Sequence, residues 1–278
     1  YSPTQTANKI VFPYQKRENN KHSLELMTDF ENHKEILSFL ESDKIKLSNR
    51  AIIDDGILKG TKKWYEFQQI KLDFPFSDEY IVYPDISSSV NFTLTKNVLI
   101  DMTCFGLPTN SKSVLGILNS KLIEVYLNSV CVKARGGYLR LKSQYILNIP
   151  LPDNYESSNL NIIVEQVLEY HSQFFNQNKK FIQFILSQVN ISVTKKLENW
   201  HDLDFSEFIK ELNKAIKKAG GTPLTKKDEF EWLELFEDNK KKAQDLQTQI
   251  TQTEKTIDTM VYDLYGLTQE EREIVENS

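Results

Sequence analysis

Two stretches of this 278-residue chain concentrate side chains that donate hydrogen bonds to anions and planar acceptors. The first runs Lys62-Lys63-Trp64-Tyr65 and continues to Gln68, Gln69 and Lys71, with aromatic rings set between the donors. The second runs Lys133-Ala134-Arg135-Gly136-Gly137-Tyr138-Leu139-Arg140-Leu141-Lys142. Its paired glycines tolerate positive φ and let a backbone approach a phosphate closely. Arg135 and Arg140 carry forked guanidinium groups that match planar acceptors two bonds at a time. Lys16, Arg17 and Arg50 widen the set. Structural readings compete at each position. Trp64 and Tyr65 suit a core or a domain interface, because large aromatics dominate packing. Lys62 and Lys63 suit a solvated loop, and Lys240-Lys241-Lys242 suits the exposed face of a helix.

Catalytic patterns are missing from the sequence. None of its 9 glycines shows the GxGxxG or GxxxxGK spacing that cradles phosphates. Asp85, after Pro84, invites a metal-nuclease reading, but no acidic-x-Lys triplet follows, and two-metal chemistry needs several converging carboxylates. His22 and His33 lie among polar residues, His171 beside an apolar stripe, and His201 next to Trp200, all readable as structural or solvated. Cys104 and Cys131 lack CxxC spacing, so they read as small buried apolar residues in a reducing cytoplasm.

The net charge of −5 is unevenly spread. Residues 1–150 hold 19 Lys+Arg against 16 Asp+Glu, residues 151–278 hold 15 against 23, and residues 96–150 hold 7 against 2. This asymmetry permits a basic patch on the first half. No apolar run approaches the length needed to cross a bilayer. The start, Tyr1-Ser2-Pro3-Thr4, has neither an initiator Met nor a signal-peptide layout, and reads as a piece that begins inside a longer protein.

The elements that must hold the two stretches follow from periodicity. Lys9-Ile10-Val11-Phe12-Pro13-Tyr14 predicts a short strand ended by proline. Ile36, Leu37 and Leu40 predict a helix near 32–41. Strand patterns recur at 79–84, 91–95 and 97–100 within a strand-like region from Trp64 to Asp101. Helical spacing of Val114, Leu118, Leu122 and Val125 covers 112–128. Pro150 and Pro152 close the region. Beyond them, helices are expected at 159–188, 206–219 and 226–265. The last carries a seam of Ala243, Leu246, Ile250, Thr253, Ile257, Met260 and Leu264, similar to a coiled-coil face. The expected fold is α+β: a mixed β-sheet domain over 1–155, then a helical domain over 156–278 with one long coiled-coil-like helix.

Several segments, in order, resemble the C-terminal target-recognition region of TaqI-like and related Type II restriction-modification adenine methyltransferases. Lys9 to Tyr14 is similar to the family's hydrophobic-Pro-Tyr strand. Arg50, followed by Lys63-Trp64-Tyr65-Glu66-Phe67-Gln68, resembles its helix-Arg and Trp-Tyr-Glu element. Ile81-Val82-Tyr83-Pro84-Asp85-Ile86 and Leu115-Gly116-Ile117-Leu118-Asn119-Ser120-Lys121-Leu122 resemble its next strand and its leucine-asparagine-serine helix. Arg135-Gly136-Gly137 through Ile149-Pro150-Leu151-Pro152 completes the series. Trp200, Trp232, Phe236 and the run from Val261 to Thr268 resemble the helical ending of the same enzymes. The departure is the Asn/Asp-Pro-Pro-aromatic tetrapeptide that would grip a flipped adenine, which this sequence lacks.

The resemblance implies sequence-specific recognition of double-stranded DNA in the major groove. It directs adenine-N6 methylation, and cleavage if the parent also cuts. Its partner is the methyltransferase domain of the same parent, with no membrane. The chain carries no cofactor in this reading; S-adenosylmethionine belongs to the parent, with Mg2+ if it cleaves. Arg reads guanine and Gln or Asn reads adenine, while lysines hold phosphates. The DNA-contacting set is then Lys16, Arg17, Arg50, Lys62, Lys63, Gln68, Lys71, Lys133, Arg135, Gly136, Gly137, Tyr138, Arg140 and Lys142. Asn119 and Ser120 suit helix packing or capping. The rival expectation is a helical protein-interaction module of a multisubunit complex that reads no DNA directly.

Overall fold

The computed structural model of the chain describes residues 10–74, 78–100 and 103–278. Lys9 and Asp101, the outer ends of two expected strand regions, lie outside the described residues, as does the side chain of His22.

The fold is α+β. In chain order it runs β1 (Tyr14–Arg17), β2 (Asn20–Leu26), α1 (Lys34–Glu41), α2 (Lys44–Ser48), α3 (Ala51–Leu58), β3 (Glu79–Pro84), β4 (Ile86–Ser87), β5 (Thr93–Lys96) and β6 (Cys104–Leu107). Then come α4 (Lys112–Leu118), α5 (Lys121–Val130), β7 (Leu139–Arg140), α6 (Ser143–Ile146), α7 (Ser158–Gln188) and α8 (Lys195–Glu198). The chain ends with α9 (Phe205–Lys218), α10 (Lys226–Tyr265) and α11 (Gln269–Glu276). Strands β1 and β2 form an antiparallel hairpin, β3 lies between β5 and β6, and β4 pairs antiparallel with β7.

Two compact units emerge, one from residues 84–93 and 111–278, the other from 10–83 and 94–110 among the described residues. In the latter, the first strand begins at Tyr14 rather than running into it. Pro13 has no N–H to give a ladder, and its carbonyl instead accepts from Met27 N at 2.9 Å. The helix expected near 32–41 is α1, which leaves Phe39 73% exposed, and two further short helices, α2 and α3, follow it. No strand forms at 97–100. Asn97 sits at φ 56°, a left-handed turn that breaks extension, and the partner of β3 is instead β6. Phe74, Tyr80 and Val82 form a small core, with Ile100 and Cys104 packed against it.

The other unit is built on helices α7 and α10. Their lengths, 31 and 40 residues, match the apolar periodicity closely, and both α9 and α10 begin with a full capping box, Asp204 with Glu207 and Thr225 with Asp228. On the α10 seam, Ala243, Ile250 and Ile257 are buried, and Leu246, Thr253, Met260 and Leu264 are half-buried. Phe181, Trp200, Phe208 and Phe236 pack ring to ring in the core at this end. Lys240, expected on the exposed face with Lys241 and Lys242, folds back instead. Its ammonium donates to Leu203 O at 2.7 Å and lies 5.7 Å from the centre of the Phe236 ring.

The single helix expected over 112–128 is broken at Asn119-Ser120 into α4 and α5. Asn119 explains the break. Its side chain accepts from Phe92 N at 2.9 Å and donates to Phe92 O at 3.0 Å, engaging both backbone groups of Phe92 as a strand neighbour would. Ser120 caps α5, accepting from Ile123 N. A carboxylate distant in sequence completes this end, as Asp258 of α10 accepts from Lys121 N at 2.7 Å. Gly116 lets α4 press on α7. A Cβ there would sit 2.6 Å from Val164 Cγ2, too close for any side chain.

Burial pushes the Asp258 carboxyl up to about 6; the Lys121 N–H opposes this, and Glu276 and Glu254 add to it. The folded chain therefore holds a proton between about pH 4 and 6 that the unfolded chain has lost, so this group's contribution falls as pH rises through that window. Asp258→Asn keeps the acceptor and removes the charge. It is expected to stabilise the protein by about 1–2 kcal/mol at pH 7, after allowance for partial exposure, and by nothing at pH 4. Urea unfolding of both proteins across pH 4 to 7 checks this; a destabilisation equal at every pH would refute the account.

Candidate nucleic-acid interface

Helix α5 delivers the chain to the second donor-rich stretch. Its last turn closes with Cys131 N donating to Leu127 O, and Cys131 is buried. Residues 132–140 then fold back on themselves. Ala134 N donates to Tyr138 O at 2.7 Å, Arg140 N donates to Val132 O at 3.0 Å, and Lys133 bridges Leu139. Strand β7 continues the ladder onto β4, with Ile86 opposite Arg140 and Ser87 opposite Leu139, and Leu141 N donates to Asp85 O at 2.7 Å. The side chains alternate as a strand requires. Leu139 and Leu141 are buried, while Tyr138 is exposed and Arg140 and Lys142 are half-exposed.

The tip is a turn closed by Gly137 N to Ala134 O at 3.1 Å. Gly136, its third residue, has φ +86°, the value that turn geometry demands and that β-carbons resist, and Gly137 follows at φ +82°. A Cβ on Gly136 would also meet the Tyr138 ring at 3.2 Å, so the ring lies against the glycine backbone. Lys133 and Arg135 project from this tip, exposed and without an anionic partner among the described residues. Val132 and Ile86 flank Arg140 in the ladder and are 59% and 48% exposed.

Asp85 organises the base of the hairpin. Its Oδ2 accepts from Lys142 Nζ at 3.0 Å and from Arg140 Nη2 at 3.4 Å. Burial alone would raise this carboxyl, but the Lys142 and Arg140 cations hold it below the usual carboxylate range. Asp85 Oδ1 and Arg140 Nε are both buried and find no partner among the described residues. A buried donor or acceptor left unmade costs about 1–3 kcal/mol, so this group of three is incompletely satisfied. Sequence reasoning weighed Asp85 only as a nuclease carboxylate. The signal for its real position was the scarcity of acids over 96–150, which leaves the local cations to find their counter-charge elsewhere in the chain.

The first donor-rich stretch belongs to the other compact unit. Lys16 and Arg17 are exposed on β1 at its bulge, and Gln68 and Lys71 are exposed in turns. Lys63 pairs with Glu31 at 3.1 Å, and half-buried Lys62 pairs with Glu66 at 3.2 Å. Arg50 is a structural strap rather than a free cation. Its Nε donates to Leu47 O at 2.7 Å and its Nη2 donates to Trp64 O and Glu66 O, each at 2.9 Å. Buried Tyr65 and half-buried Trp64 complete this packing, with Lys44 Nζ 5.2 Å from the Trp64 ring centre. The structure thus gathers Lys133, Arg135, Tyr138, Arg140 and Lys142 on one hairpin and commits Arg50 and Lys62 to internal bonds.

Other chemistry finds little support. Among the described residues no three His, Cys, Asp or Glu converge to hold a metal, and no helix is long and apolar enough to cross a membrane. His171 bonds Glu254 at 3.3 Å and His201 bonds Asp202 at 3.1 Å.

Residues 38–151 match the family model of the TaqI-like C-terminal specificity domain, and residues 153–261 match that of a Domain of unknown function (DUF8810). The two matches abut at Pro152. Comparison with curated proteins gives no match. The hairpin, Asp85 and Arg50 all fall inside the specificity-domain match.

Arg50→Ala removes three charge-assisted bonds to carbonyls and is expected to destabilise the protein by about 2–3 kcal/mol. Denaturant titration checks the number; an unchanged midpoint would return Arg50 to the set of free surface cations.

Proposed function

We propose that the TaqI-like specificity domain of residues 38–151 reads duplex DNA through the hairpin of residues 132–142, on behalf of a restriction-modification adenine-N6 methyltransferase. The observation that carries this reading is the hairpin itself. Two exposed cations stand at a glycine tip, two more at its base, and exposed Tyr138 lies between them. A two-stranded ribbon fits the major groove, where the wide floor presents a distinct pattern for each base pair. Lys133 and Lys142 are placed as point charges on phosphates, fixing register. Arg135 and Arg140 carry the forks that match guanine O6 and N7. Val132 and Ile86, flanking Arg140, offer the apolar contact that a thymine methyl accepts.

Lys16, Arg17, Lys63, Gln68 and Lys71 belong to the other compact unit and are kept, from the sequence reading, as phosphate contacts of that unit by itself. Arg50 and Lys62 are left out, since their donors are spent inside the fold. The residues present do not fit S-adenosylmethionine, because the sequence holds no glycine-rich turn of the required spacing. We therefore assign the methyl donor, and Mg2+ if the parent cleaves, to a catalytic domain of the parent. There the specificity domain would hold one adenine in place for flipping and transfer to N6.

The test is a salt titration of this chain binding a random-sequence duplex. Each phosphate contact contributes about −0.9 to the slope of log affinity against log salt. Lys133→Ala combined with Arg135→Ala is expected to weaken binding and, through the Lys133 phosphate contact, to flatten the slope by about 1. Lys241→Ala combined with Lys242→Ala on α10 should leave both unchanged. Salt-insensitive behaviour, or equal effects from both pairs, would instead favour a helical protein-interaction module.

A further inference from the structure

The geometry at the base of the hairpin points to Asp85 as a specificity-determining residue that positions the Arg140 fork for one guanine and holds Lys142 back until a phosphate arrives. This rests on the hairpin reading DNA. In the structure, Lys142 Nζ and Arg140 Nη2 crowd onto a single oxygen, Asp85 Oδ2. The other oxygen, Oδ1, and the Arg140 Nε are both buried and without a partner among the described residues. These two orphan atoms, an acceptor and a donor, sit on the two halves of one ion pair. A rotation of the guanidinium that brings Nε to Oδ1 while Nη2 stays on Oδ2 satisfies both and converts a single contact into a side-on fork.

That rearrangement has two consequences. The guanidinium plane becomes fixed, with Nη1 and the second Nη2 proton directed away from Asp85, where they match guanine O6 and N7. Lys142 loses most of its share of Oδ2 and is released to a DNA phosphate, which compensates its charge. Without DNA, one carboxylate masks two cations, so the hairpin offers generic duplex less positive charge than its residue count suggests. Asp85 is therefore a positioning residue, acting on the bases through Arg140.

The experiment is selection by this chain from a pool of duplexes with a randomised central segment, read by sequencing, alongside salt titrations on poly(dI-dC). The wild-type chain is expected to enrich a motif containing a G·C pair. Asp85→Asn and Arg140→Lys should each lose about 10- to 100-fold of the preference at that one pair and leave the other positions intact. Asp85→Asn should also bind poly(dI-dC) more tightly with a steeper salt slope, because the mask is gone. Lys142→Ala should keep the motif, weaken binding uniformly and flatten the slope by about 1. Should Asp85→Asn fail to fold by circular dichroism, Asp85→Glu and Arg140→Lys decide the question at the same base pair. A wild-type motif kept whole by the position-85 and position-140 variants overturns the role of Asp85 and leaves DNA reading standing. A wild-type chain that enriches no sequence overturns DNA reading itself.

Discussion

The joint at Asn119-Ser120 is the constraint from which the hairpin of residues 132–142 follows. If α4 ran on as one straight helix, the chain would leave it in another direction and β7 would not meet β4. Three unrelated interactions hold the bend: the Asn119 amide on both backbone groups of Phe92, the Ser120 cap, and the Asp258 carboxylate on Lys121 N. Gly116 seats the preceding helix against α7 with no room for a side chain. The carboxylate and the helices beneath it come from residues that match DUF8810, while the joint comes from the specificity-domain match. Two families side by side in sequence thus share one core, with Val164, Leu160 and Ile257 all packed around Gly116. The helical segment completes the specificity domain as well as following it.

Electrostatics within this unit are arranged by position rather than by total charge. The chain is acidic overall, yet the hairpin tip carries bare cations and its base carries cations masked by Asp85. The acidic residues of α10 and α11 lie around Asp258, where mutual repulsion adds to burial in raising its carboxyl. A net charge of −5 therefore says little about which surface meets an anion.

The sequence was legible where one signal dominated a long window. Helices α7 and α10 follow from an apolar repeat sustained over many turns, with caps at both starts. Strand β3 follows from an unbroken run of aromatic and β-branched residues. The glycine turn follows from chemistry that only glycine supplies. What escaped was decided by tertiary contacts. The apolar spacing over 112–128 is continuous, and it is broken by the meeting of Asn119 with Phe92, the Ser120 cap and the Asp258 carboxylate on Lys121 N. Asn97 turns a strand-like segment away from the sheet. Arg50 and Arg140 are the same residue type in similar polar surroundings. One is spent on three carbonyls and the other on a carboxylate, a difference set by partners 3 to 55 positions away.

The tip of the hairpin contributes no side chain to the interior, because its strands are pinned below by Leu139 and Leu141 and by the pairing with β4. Exchange of residues at 133 or 135 therefore leaves the folded scaffold indifferent, whereas Tyr138 packs its ring on the Gly136 backbone. A lineage carrying this scaffold is free to drift at those two positions, while selection for folding acts on the pinned residues beneath.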